Sequence, residues 1–128
     1  MNQAKVKDTI LLATARLPKL TPFAENLREV SRMRINTAGT AEEALDAARQ
    51  RNIALAVVDD RIGEITGLEL VKRLVETDAF MLTAVLNDDE EEEFHDRSEG
   101  LGILTRLPLA PGPDDARRLY ELLRGIAS

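Results

Sequence analysis

Cysteine is absent from this sequence, which excludes disulfides, thiolate metal ligands and thiol nucleophiles. Tryptophan is absent too. Phe23, Phe80, Phe94 and Tyr120 are the whole aromatic complement, too few for a base-stacking platform. Positive charge is in deficit: 17 Lys and Arg stand against 23 Asp and Glu, a formal charge of −6. Nucleic acid wants the opposite, a basic stripe, so no nucleic-acid partner is expected. No apolar run approaches the ~20 residues of a membrane span, so no membrane partner is expected either. The stretch from Met1 to Asp8 is polar, carries Lys5 and Lys7, and lacks the apolar centre of a secretory signal; the expected location is cytoplasmic.

What is present is an alternation of strand and helix signals across residues 1–128, read as one domain. Thr9 to Ala13 is a short apolar run suited to a central parallel strand. Thr21-Pro22 reads as a helix start, with Phe23, Leu27 and Val30 on one face. Met33 to Thr37 is a more polar strand, suited to a sheet edge. Thr40-Ala41-Glu42-Glu43 forms a capping box ahead of the small-residue face Ala41, Ala44, Leu45, Ala48. Ile53 to Val58 is apolar at every position and should be covered on both faces. Gly67 precedes a helix with Leu68, Leu70, Val71, Leu74 and Val75 as its apolar positions. Met81 to Leu86 and Ile103-Leu104 supply the last two strands. Asn87 is a candidate cap for a helix opening with Asp88 to Glu93. The closing helix, Asp114 to Ile126, has Ala116, Leu119, Tyr120, Leu122 and Leu123 as its apolar side. Five strands, each followed by a helix, predict an α/β fold with a parallel sheet covered on both faces.

In such folds ligands gather beyond the carboxyl ends of the strands. Those ends read Thr14-Ala15-Arg16, Asp59-Asp60-Arg61, Asn87-Asp88 and Thr105 to Pro108. The loop from Thr14 to Leu20 has no glycine to bring backbone amides against a phosphate, which argues against a flavin or nucleotide binder; no cofactor is expected.

The stretch Ile53 to Leu74 resembles a response-regulator receiver domain. An apolar third strand ends on Asp59, a glycine (Gly67) follows eight residues later, and Gly67-Leu68-Glu69-Leu70 matches the family's helix start. Residues 40–45 match its second helix. The resemblance implies a flavodoxin-like doubly wound (βα)5 fold of strand order 2-1-3-4-5, with Asp59 at the phospho-acceptor position. The family's metal-holding acidic pair falls on Thr14 and Ala15, its hydroxyl residue on Asn87, its aromatic on Leu104 and its lysine on Leu107. One functional position of five is kept. Mg²⁺ is held by carboxylates and phosphate oxygens, which Thr14 and Ala15 do not supply, so no metal is expected. Without it a transferring phosphoryl group lacks its main stabiliser. The resemblance also implies a cis bond between Leu107 and Pro108.

The expectation is therefore a degenerate receiver, a binding module and not an enzyme. Its partner would be a protein: a histidine kinase, another regulator or an output protein, with a homodimer left open. The alternative is a working receiver phosphorylated on Asp59 by a histidine kinase. Asp60 reads as a loop or capping residue. Arg16 and Arg61 either place a guanidinium beside Asp59 or are solvated. Asp88, Asp89, Glu90, Glu91, Glu92 and Glu93 are candidate partner contacts. A helix macrodipole favours acids in the first turn, but six in a row exceed that need. His95 reads as a lone surface histidine.

Overall fold

The computed structural model describes residues 6–127. Five parallel strands, β1 (Thr9–Ala13), β2 (Arg34–Ala38), β3 (Ile53–Val58), β4 (Leu82–Leu86) and β5 (Thr105–Leu107), form one sheet in the order 2-1-3-4-5. The helices are α1 (Leu17–Ser31), α2 (Ala41–Ala48), α3 (Gly67–Thr77), α4 (Glu91–Ser98) and α5 (Pro113–Ala127). A two-residue antiparallel ribbon, Arg61–Ile62 with Ile65–Thr66, lies in the β3–α3 connection. Among the described residues no helix is long and apolar enough to cross a membrane.

Strand alternation sorts the core into two layers. Leu11, Ala13, Ala56 and Val58 face α2 and α3, meeting Ala44, Ala48, Leu70, Val71 and Leu74. Ile10, Leu12, Leu55 and Val57 face α1 and α5, meeting Phe23, Leu27, Ala116, Leu119 and Leu123. β3 is central and buried along nearly its whole length, while the polar β2 lies at an edge, as its composition predicts. Leu122 departs from expectation: it lies on the outer side of α5.

Several boundaries differ from those read in the sequence. α1 begins at Leu17, before Thr21-Pro22. Pro18 lies in its first turn, where a missing N–H costs nothing, and the Thr21 hydroxyl donates to the Leu17 carbonyl instead of capping. Pro22 is accommodated inside the helix. The capping box at α2 is offset by one residue. Thr40 Oγ1 accepts from the Glu43 amide at 3.0 Å, but the Glu43 carboxylate accepts from Gly39, not Thr40. β5 starts two residues later than Ile103 because Gly100 and Gly102, both at positive φ, still carry the turn.

The largest departure is at α4. The acidic run is not one helix turn: Asp88, Asp89 and Glu90 form a loop, and only Glu91, Glu92 and Glu93 are helical. Asn87 does not cap the helix; its Oδ1 accepts from the Asp89 amide two residues on, an Asx turn that holds the loop off helical geometry. α4 buries no side chain completely.

Candidate functional site

β1 and β3 are neighbours in the sheet, so the residues just past their ends meet. The Asp59 amide donates to the Ala13 carbonyl at 2.9 Å, and the Thr14 amide to that of Ala38 at 2.9 Å. This pairing puts the Asp59 side chain beside the β1–α1 loop with only 2% of the residue exposed.

There both carboxylate oxygens are fully engaged. Oδ2 accepts from Thr14 Oγ1 at 2.6 Å and from Arg16 Nε at 2.8 Å. Oδ1 accepts from Arg16 Nη2 at 3.0 Å and from the Asp60 amide at 2.7 Å. The guanidinium thus grips the carboxylate in bidentate fashion. Arg16 Nη2 also donates to the Leu109 carbonyl at 2.6 Å, so one side chain joins the loops after β1, β3 and β5. Thr14 Oγ1 in turn accepts from the Arg16 amide at 3.0 Å, which sets the loop that aims the arginine.

The electrostatics follow. Burial by itself would raise the Asp59 carboxyl, but the bonds from Arg16, Thr14 and the Asp60 amide hold it below the usual carboxylate range. Arg16 is pushed up, chiefly by its bond to Asp59. Asp60, half-buried, is raised by its burial and then by the charges of Asp88, Asp89 and Asp59.

The other residues singled out in the sequence are scattered. Ala15 is exposed at the mouth of the cleft it shares with Arg16, Asp59, Asp60, Arg61 and Leu109. Arg61 does not reach Asp59; it sits on the exposed ribbon and donates to the Glu64 carbonyl at 3.2 Å. Asn87 is buried and its side chain bonds to Asp89. Leu107, to which the resemblance assigns the lysine position, is 1% exposed and packs in the layer under α1 and α5. Among the described residues there is no cis peptide bond, so Leu107–Pro108 is trans. With the Leu107 carbonyl accepting from the Asn87 amide, the strand pairs to its last residue and the chain runs on to present Leu109 to Arg16.

Two participants escaped the sequence reading. The Leu109 carbonyl carried no signal at all. Arg106 stands 4.7 Å over the Phe94 ring and donates to the Asp89 carbonyl at 2.7 Å. It tethers α4 and the acidic loop to β5, a role its alternation with buried Leu107 allows.

A divalent cation does not fit this donor set. Asp60 is the one other carboxylate lining the cleft, the oxygens of Asp59 already carry four donors, and the group beside Asp59 is a fixed cation. Among the described residues no cluster of three or more His, Cys, Asp or Glu side chains is arranged to hold a metal.

No family model matches the sequence, and no curated protein matches it. Solved structures do. A CheY-like response regulator receiver domain protein from Methanospirillum hungatei superimposes with a TM-score of 0.78 at 19% identity, over 94% of this chain and 96% of that one. The chemotaxis protein CheY4 of Vibrio cholerae gives 0.78 at 17% identity, over 94% and 99%. A two-component response regulator from Legionella pneumophila gives 0.76 at 22% identity, over 94% and 99%. Element order, strand order and these superpositions agree: the chain has the fold of a CheY-like response-regulator receiver domain.

Proposed function

We propose that this domain is a receiver-like signalling module that works by protein–protein contact and takes no phosphoryl group on Asp59. The observation that carries this reading is the occupancy of the acceptor carboxylate. A phospho-acceptor must offer a free oxygen lone pair to phosphorus, next to a cation that neutralises the transferring group. Here Arg16 and Thr14 hold Oδ2, and Arg16 and the Asp60 amide hold Oδ1. Attack would require breaking the bidentate grip of Arg16 on buried Asp59, in a cleft where a fixed guanidinium already stands beside the carboxylate.

The test is incubation with acetyl phosphate and Mg²⁺ followed by intact mass measurement. The expected result is an unchanged mass. A gain of one phosphoryl group that Asp59→Asn abolishes would favour the alternative, a receiver phosphorylated by a histidine kinase. A complementary result is expected from a variant carrying Thr14→Asp, Ala15→Asp and Arg16→Ala: it should gain saturable Mg²⁺ binding by calorimetry.

The partner face of this reading is the surface of α4, β5 and α5. Asp88 and Glu90 to Glu93 are exposed, and α4 is fastened mainly through Arg106 and Phe94. A field from consecutive acids steers a basic protein surface and is screened by salt. Replacing the six acids by Asn and Gln should reduce capture of a protein partner from the source lysate at low salt and flatten its salt dependence. Equal capture by both forms at low and high salt would remove this face from the proposal.

A further inference from the structure

The edge of the sheet opposite Asp59, where the parallel strands begin, has a chemistry of its own. Lys7 and Asp8 precede β1, Arg32 and Met33 precede β2, Arg51 precedes β3 and Phe80 precedes β4; α5 ends at this edge. A cleft of about 370 Å³ opens here between the end of α1 and the last turns of α5. That is at the small end of the range for binding pockets. Its apolar wall is Met33, Ala54, Tyr120 and Leu123, and its rim carries Arg32 and Arg124.

The rim cations are uncommitted, unlike the other two charged residues that line the cleft. Lys7 is spent on buried Asp78 at 2.6 Å, and Asp8 accepts from the Thr9 hydroxyl at 2.8 Å. Among the described residues, the side chain of Arg32 has no hydrogen bond or salt bridge, and Arg124 has only the face of Tyr120, 6.0 Å away. Arg32 is held in place by its backbone, in the left-handed conformation (φ 58°) that ends α1. Both guanidinium groups therefore flank an apolar cleft, on a chain whose net charge is −6 and whose acidic loop stands at the other edge.

Apolar surface continues beyond the cleft. Phe80 is 80% exposed, held out by an Asx turn in which buried Asp78 accepts from its amide at 3.0 Å, and Val6 and Ile126 are exposed at the same edge. A small molecule in the cleft would leave these side chains wet, whereas a polypeptide laid along the edge would cover them.

From this we infer a second docking surface, distinct from the Asp59 site and from α4: the cleft of Met33, Ala54, Tyr120 and Leu123 takes a large apolar side chain from an acidic segment of a partner protein, whose flanking carboxylates pair with Arg32 and Arg124. Anchor in a pocket with charges at its rim is the common division of labour at protein interfaces.

The probe is a blocked peptide, Glu-Asp-Leu-Phe-Asp-Glu, titrated into the isotope-labelled domain and followed by amide chemical shifts. Saturable shifts are expected at Met33, Ala54 and Leu123. The double variant Arg32→Glu, Arg124→Glu should weaken them by about tenfold or more, as should reversing the peptide to Lys-Arg-Leu-Phe-Arg-Lys. Both arginines are exposed, so the variant should unfold at the temperature of the parent, which separates lost contact from lost structure. Shifts that do not saturate, map to residues 88–99, or survive the double variant would overturn the proposal. So would growth of the domain's sedimentation coefficient with its own concentration that the double variant abolishes, because the surface would then serve a second copy. None of these outcomes depends on whether Asp59 is phosphorylated.

Discussion

Arg16→Ala is expected to lower the unfolding free energy by about 2 kcal/mol at neutral pH. Removing one member of a buried ion pair costs roughly 3–5 kcal/mol because the other is left uncompensated; the Arg16 side chain is 34% exposed and Asp59 only 3%, which places this pair below that range. The pH dependence tests the cause. In the parent, the Asp59 carboxyl lies below its ordinary value, so its contribution is present above the unfolded pKa and is lost as pH falls through the folded one. In the variant, burial, the Thr14 hydroxyl and the Asp60 amide remain while the largest opposing donor is gone, so the carboxyl should rise from its depressed position. The folded variant then takes up its proton at a higher pH than the folded parent, so acidification costs it less. The deficit between parent and variant should therefore shrink as pH falls through the carboxylate range, around pH 4, as read by urea unfolding. A second change, Asp59→Asn on top of Arg16→Ala, should recover much of the loss at neutral pH by removing the stranded charge. A deficit independent of pH, with no recovery in the double variant, would mean that Arg16 acts by packing and by its bond to Leu109 alone.

Gly67→Ala is expected to be at least as damaging, costing about 3 kcal/mol or preventing folding. A methyl on Gly67 would stand 2.2 Å from the Asp59 carbonyl oxygen and 3.2 Å from its carbon. These are backbone atoms with no freedom to swing aside. Asp59 is fixed by its amide bond to Ala13 and by the grip of Arg16 on its side chain, and Gly67 itself donates to the Asp60 carbonyl at 2.8 Å. The start of α3 would have to lift from β3, taking Leu68, Leu70 and Val71 from the core. Gly112 is the control: it has no positive φ and nothing within 4 Å of a new Cβ, so Gly112→Ala should leave the denaturation midpoint nearly unchanged. Equal midpoints for the two variants would show that the β3–α3 loop yields where its geometry says it should not.

The two expectations concern one place, and they show how differently its parts could be read in advance. Gly67 was legible through the resemblance, because its spacing from Asp59 and the apolar pattern after it lie along a single stretch of chain. Arg16 was visible only as one of two candidate cations. Choosing it over Arg61 depends on the ribbon that turns Arg61 outward and on Thr14, whose hydroxyl both donates to Asp59 and braces the Arg16 amide. At α4 the sequence suggested a helix filled with acids from its first residue. The Asx turn at Asn87 and the pull of Arg106 on the Asp89 carbonyl place half of that run in a loop.

The sequence by itself determined the elements, their order and the parallel sheet. Those follow from hydrophobic period, from caps and from turn residues, interactions that close within a few positions of the chain. It also determined that Thr14 and Ala15, just past β1, carry no carboxylate, which holds in any fold. Tertiary structure alone decided what surrounds Asp59. Thr14, Arg16, Asp59 and Leu109 are brought together from three loops, over separations of up to 93 residues. Which donor reaches a buried carboxylate is settled by its cost of being left unpaired in the assembled core, and that cost does not exist until the strands have met.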